Sequence, residues 1–388
     1  MNQQPQPFRI DIADAVLERI AARVRAYDWS AVPDAGGWSA GTSLADLQRL
    51  TRYWLDRYDW RATERRLNQV DQYRVEIDGQ PIHFLHARSA GAGATPLLML
   101  HGWPSTVFEF LDLIGPLTAP GDHGAPDAPA FEIIAPSLPG YGFSTLSSLT
   151  SPRRTARTFA SLMERLGHAR YFVQGGDWGN VVAGWMGYDR PDACLGLHLN
   201  MVSTHAADAV PETPEEIDHA RRRAEADLRE GGYSKIQGTK PQSLALAMVD
   251  SPVGTAAWIV EKFAGWSDLP RDEAGNPDLW ARYSEDELLT CVMIYLVTNS
   301  FPTSIWMYKG RLDHDTPTFP AGSRIAVPTA VAAFRDPVFP PPPRSFIEKT
   351  YDVVQWTDMP AGGHFPALEQ PQLLVDDIRR FRAGLSAT

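Results

Sequence analysis

One stretch, Tyr171 to Asn180, restricts this chain to few folds. Tyr171, Phe172 and Val173 form a short apolar run that reads as a buried strand. It meets Gly175-Gly176-Asp177-Trp178-Gly179 and then Val181 to Met186, which can continue as a helix. A strand, a sharp turn and a helix, with small residues two before and two after a central side chain, is the layout of a nucleophile elbow. The turn lifts the central side chain above the sheet, and a β-carbon at Gly175 or Gly179 would clash there. The central residue is Asp177 rather than the commoner serine, and that decides most of the chemistry. A carboxylate needs no deprotonation to attack, and attack on an alkyl carbon gives an ester that water must cleave. The bland alternative is an ordinary turn, since glycine and aspartate both favour turns.

The surrounding pattern supports the elbow. Tyr73 to Ile77 and Ile82 to His86 alternate about Asp78-Gly79, a hairpin signal. Leu97 to Leu100 is a continuous apolar run ending at His101-Gly102-Trp103-Pro104; Phe131 to Ile134 and Leu195 to Leu199 are further strands. Phe108 to Leu117 and the stretch through Phe159 and Leu166 read as helices between them. This alternation predicts an α/β fold with a mostly parallel sheet, whose sites lie at the carboxyl ends of strands. His101 and Asp177 both fall at such ends. After Ser203 the rhythm turns helical until the β-rich run from Ile325 to Phe334. The prediction is a helical lid over 205–322, between core segments 73–204 and 323–388. The second segment carries a strand from Val353 to Trp356 and a closing helix from Leu373 to Leu385. Residues 1–72 are expected to form a meander packing on core and lid. Within it, Phe8 to Ile12 reads as a strand and Asp14 as a helix cap. Trp29, Trp38, Tyr53, Trp54, Tyr58 and Trp60 read as a packing surface.

Composition excludes several classes of function. A chain of 388 residues with 44% apolar and 21% charged residues can bury a large core. A net charge of -11 argues against nucleic acid or an anionic membrane surface as partner. The only cysteines, Cys194 and Cys291, indicate neither a disulfide framework nor a zinc site. The first seven residues lack the segments of a signal peptide, and no apolar run is long enough to span a bilayer. A cytoplasmic location is expected.

His364 follows a strand, behind Gly362-Gly363. Its place in the order nucleophile, acid, histidine makes it the candidate base, against the alternative of a structural histidine. Neutral imidazole would take a proton from water, with a carboxylate orienting its other nitrogen. Asp336, just after the strand ending at Phe334, is the expected acid, and Glu348 is the alternative. The oxyanion-holding N–H groups are expected from Trp178 and Trp103. Pro104 is expected to fix its loop in a tight turn, with a cis bond as one option.

The ordered set of motifs resembles the microsomal-type epoxide hydrolases of the α/β-hydrolase superfamily, over nearly the whole chain. The matching residues are the N-terminal segment from Pro7 to about Asn68, His101 to Pro104, Gly175 to Gly179, and Gly232 to Pro241. Asp250 to Gly254, Ser300 to Tyr308 and Gly362 to Phe365 complete the set. The resemblance implies an α/β-hydrolase fold and no cofactor or metal. It places the nucleophile at Asp177, the base at His364, and two lid tyrosines that hydrogen-bond the epoxide oxygen at Tyr233 and Tyr308. A phenol suits that task because ring opening develops alkoxide at the departing oxygen. Packing beside Trp306 is the other role open to Tyr308, and Gly231-Gly232 predicts a movable loop before Tyr233. Partners implied are a small-molecule epoxide and water, with a homodimer left open as the assembly. The membrane-anchoring N-terminal helix of the mammalian members is not expected here.

Trp103, Trp178, Trp258 and Trp306 suggest a bulky or aryl epoxide. The likeness to actinobacterial enzymes acting on enediyne intermediates implies secondary metabolism, in antibiotic biosynthesis. Two rivals are a haloalkane dehalogenase, which also uses an elbow aspartate, and a non-catalytic ligand receptor on the same scaffold. Trp103, where the dehalogenases usually carry asparagine, and the lid tyrosines favour the epoxide.

Overall fold

The computed structural model describes residues 4–89, 91 and 93–386. Among the described residues, nine strands form one sheet. They are β1 Gln6–Phe8, β2 Gln72–Ile77, β3 Gln80–Ala87, β4 Thr95–Leu100, β5 Phe131–Pro136, β6 Tyr171–Gly175, β7 Cys194–Leu199, β8 Ile325–Ala333 and β9 Tyr351–Asp358. Their spatial order is β1-β2-β3-β5-β4-β6-β7-β8-β9. The pairs β1–β2, β2–β3 and β3–β5 are antiparallel, and every pair from β5 to β9 is parallel. This is the α/β-hydrolase arrangement, a mostly parallel sheet with a helical insertion. Asp78 and Gly79 both carry positive φ, as the two-residue turn between β2 and β3 requires.

Side chains alternate across the sheet and so build two cores. Leu97 and Met99 of β4 face one core with Leu113, Leu117, Leu374 and Phe381, from helices Leu111–Thr118 and Pro371–Ser386. Leu98 and Leu100 face the other with Phe159, Val181 and Trp185, from helices Pro152–Arg165 and Trp178–Asp189. With both faces covered, a parallel strand is apolar throughout, which is why β4 and β6 read as unbroken runs.

Between β7 and β8 lie helices Pro214–Glu230, Gly232–Thr239, Pro241–Asp250, Pro252–Trp266, Glu285–Thr298, Phe301–Ser304 and Trp306–His314. Their starts are set locally: Thr213 with Glu216, and Ser284 with Glu287, make reciprocal capping boxes. Hydrogen bonds pin this lid to the core. Tyr295 Oη donates to the Ser105 carbonyl at 2.9 Å, the Gly142 N–H to Ser300 Oγ at 3.1 Å, and Thr303 Oγ1 to the Gly140 carbonyl at 2.6 Å.

The N-terminal segment differs in detail from its sequence reading. The strand is Gln6–Phe8, not Phe8 to Ile12, because side chains satisfy the later backbone groups. Asn68 bonds both the N–H and carbonyl of Ile10, and Glu64 Oε1 accepts from the Ile12 N–H. Asp14 does not cap; it opens helix Asp14–Arg25 from its first turn and pairs with Arg61. The segment reaches the lid through Asp46, which accepts from the indoles of Trp38 and Trp280, and through Thr42 Oγ1 on the Ala257 carbonyl. Cys194 and Cys291 are buried free thiols. Among the described residues, no single helix is long and apolar enough to cross a membrane.

Candidate active site

Asp177 joins β6 to helix Trp178–Asp189 with φ +45° and ψ −125°, a conformation that non-glycine residues rarely adopt. Close packing holds it there. A β-carbon on Gly175 would lie 2.4 Å from the Gly179 carbonyl oxygen, and one on Gly179 would lie 2.0 Å from that of Leu100. The Asn180 amide donates to the Asp177 carbonyl, and its oxygen accepts from the Ser203 N–H and hydroxyl. The Trp103 N–H donates to Asp177 Oδ1 at 2.8 Å. Trp178 opens its helix, so its N–H has no carbonyl four residues back to bond. The Trp103–Pro104 bond is cis. Burial drives the His101 pKa down to about 4, so its neutral ring accepts from the Leu138 N–H at 3.0 Å and fastens the loop.

His364 Nδ1 and Asp336 Oδ2 are 2.6 Å apart. The second oxygen of Asp336 accepts from the N–H groups of Val338 and Phe339, at 2.9 and 2.7 Å. The fold therefore brings Asp336 to the histidine. Glu348 does not come near; it pairs with Arg344 at 2.7 Å on the surface. His364 Nε2 stands 3.4 Å from Asp177 Oδ2 and makes no hydrogen bond. Burial favours neutral imidazole, but the charges of Asp336 and Asp177 outweigh it and raise the pKa to about 10. The ring thus lies between two aspartate side chains that favour its protonated form. Glu369 fixes the histidine loop by accepting from the N–H groups of Gly363, Phe365 and Asp268.

Tyr233 and Tyr308 are buried lid residues. Tyr233 is on helix Gly232–Thr239, not on a movable loop: Gly231 accepts from the Lys235 N–H and continues the helical turns. Its ring stacks on Trp103 at 5.4 Å. Tyr308 meets Trp178 edge-on at 4.7 Å and lies 5.9 Å from Tyr233. Burial first, and then nearby negative charge including that of Asp177, raises both phenol pKa values, so both stay protonated donors.

Trp306 is half-buried, two residues before Tyr308 on helix Trp306–His314, and residues two apart do not share a helix face. Trp258 spends its indole N–H on Gln237. Two aromatics unforeseen in the sequence lie beside His364. Trp266 lies 4.7 Å from the His364 ring and 5.1 Å from Tyr233; Phe339 lies 5.6 Å from His364. Nothing local in sequence marks them, because tertiary packing alone puts them there. Phe339 also lines a chamber of about 460 Å³ with Arg311, whose guanidinium lies 5.7 Å from the Trp178 ring. One trio, His86, Glu132 and His168, has ligand atoms within 4.8 Å of one another. Glu132 is near the start of β5, at the end of the sheet opposite Asp177, and His86 already bonds it at 2.6 Å.

The family described as epoxide hydrolase N terminus matches residues 5–110, and that described as alpha/beta hydrolase fold matches 95–371. A putative epoxide hydrolase of Stigmatella aurantiaca is 39% identical, over 96% of this chain and 83% of its own. Epoxide hydrolase 1 of Sus scrofa is 34% identical, over 98% of this chain and 89% of its own. The crystal structure of juvenile hormone epoxide hydrolase from the silkworm Bombyx mori superposes with a TM-score of 0.88 at 30% identity, covering 100% of this chain and 96% of that one.

Proposed function

The chain belongs to the microsomal-type epoxide hydrolase family of the α/β-hydrolase superfamily and is an epoxide hydrolase, and from that premise we propose that it works through a covalent ester on Asp177. The observation that carries this is the division of labour between that residue's two oxygens. Oδ1 is tied to the Trp103 N–H, which leaves Oδ2 to attack an oxirane carbon. As the new C–O bond forms, the ring C–O bond breaks and its electron pair goes to the departing oxygen. Tyr233 and Tyr308 hydrogen-bond the alkoxide as it develops.

Ester formation removes the charge of Asp177. His364 then keeps only Asp336 as a counter-charge, and burial, which favours the neutral ring, gains weight. Passing its proton to the alkoxide leaves neutral imidazole, the base the second step needs. His364 takes a proton from water while the water oxygen bonds to the ester carbonyl carbon. The N–H groups of Trp103 and Trp178 hold the oxyanion. Collapse breaks the bond between the carbonyl carbon and the substrate oxygen, which takes the remaining water proton, so a vicinal diol leaves and ionised Asp177 and protonated His364 are restored.

The aromatic walls from Trp103, Trp178, Trp266, Tyr233 and Tyr308 support a bulky or aryl epoxide of the styrene-oxide kind. The resemblance to enediyne-biosynthesis enzymes extends this to an aryl epoxide on a secondary-metabolite intermediate. His364→Gln tests the mechanism: mixed with styrene oxide, it should gain the mass of one substrate, mapped to the Asp177 peptide. An unmodified protein that turns over at the wild-type rate contradicts the ester. Faster turnover of a short aliphatic epoxide than of styrene oxide contradicts the aryl preference.

A further inference from the structure

Beside Asp177 lies a cavity of about 20 Å³ lined by Ser105, Glu109, Gln174, Asn200, Asp177 and His364, with neither lid tyrosine in its wall. One water needs roughly 10–15 Å³ and two to four polar partners. Three buried polar atoms of these lining residues make no hydrogen bond: Ser105 Oγ, Gln174 Oε1 and His364 Nε2. Their orientation is set from behind. Gln174 spends its amide N–H on Asn200 Oδ1 at 2.8 Å, leaving the carbonyl oxygen unbonded. The Ser105 carbonyl is held by Tyr295 of the lid at 2.9 Å. Glu109 sits on the short helix Val107–Phe110, whose turn closes through its N–H on the Thr106 carbonyl at 3.1 Å.

We propose that Glu109, with Ser105 and Gln174, seats the water that cleaves the Asp177 ester. The ester carbon and the histidine Nε2 border the same cavity, so a water held there faces both. Its oxygen bonds to the carbonyl carbon, one proton passes to Nε2, and the other stays hydrogen-bonded to Gln174 Oε1 or a Glu109 carboxyl oxygen. Burial, reinforced by the charge of Asp177, holds the Glu109 pKa up at about 8 in the resting enzyme, while the neighbouring Ser105 hydroxyl and the charge of His364 oppose the rise. Ester formation removes the Asp177 charge and the proton transfer removes that of His364, two changes that act on Glu109 in opposite directions.

The inference rests on the ester mechanism, and transient kinetics with styrene oxide separates the two. In Glu109→Gln the alkylation rate constant should stay within about twofold of wild type. Hydrolysis should slow by about 10²-fold. Ester then accumulates as a burst, and kcat and KM fall together, leaving kcat/KM unchanged. Ser105→Ala should show the same pattern with a smaller loss. Both constants are read per active site from the burst, so a reduced folded fraction does not imitate the result. Loss of kcat/KM in step with kcat, or unchanged hydrolysis in both variants, overturns the water seat. Absence of any ester in the wild type instead overturns the mechanism beneath it.

Discussion

The elbow and the lid both border the site, yet different forces fix them. At the elbow, backbone is packed on backbone: Asp177 has a positive φ, and carbonyl oxygens stand 2.0–2.4 Å from where β-carbons of its flanking glycines would lie. In the lid, Tyr233 and Tyr308 are held by ring contacts of 4.7–5.9 Å and by burial. Backbone contacts of the first kind tolerate no added atom, whereas ring packing tolerates loss of a hydroxyl. The elbow is therefore a matter of position, and the lid places its phenols on a forgiving support.

Substitutions can break that contrast. The largest effect on stability belongs to Gly179→Ala, whose new β-carbon would meet the Leu100 carbonyl; about 3 kcal/mol or more should be lost in urea unfolding. A lid-like tolerance there would erase the distinction. Next is pH. The His364 pKa is raised from 6.5 to about 10, so its contribution is full below pH 6.5 and fades as pH climbs through 10. Stability should fall by a few kcal/mol between those limits, and His364→Gln should flatten the profile. Tyr308→Phe removes one donor and leaves the ring; alkylation should slow by about 10²-fold with an unchanged melting temperature. The smallest effect belongs to Gly232→Ala in the lid. No atom lies within 4 Å of its new β-carbon, so stability should rise by about 0.5–1 kcal/mol.

The same contrast explains what the sequence made legible. The elbow, the His101 to Pro104 loop and the hairpin at Asp78-Gly79 are local, and each needs particular residues at adjacent positions. Asp336 was legible from chain order, although its bond to His364 spans 28 residues. The lid was legible only as helices. Its tyrosines came from resemblance, and Trp266, Phe339 and Glu109 went unseen. All three reach the site through contacts that no short pattern records. The N-terminal strand was misplaced for a related reason: Asn68 and Glu64, more than fifty residues away, satisfy the backbone that a ladder would otherwise have served.

Single turnover of excess enzyme with styrene oxide in heavy-oxygen water tests the central claim most directly. If Asp177 forms the ester and water attacks its carbonyl carbon, the label enters the Asp177 carboxylate and the first diol released carries none. Label in that first diol, with Asp177 unlabelled, would mean that water opens the ring directly, and it would contradict the account.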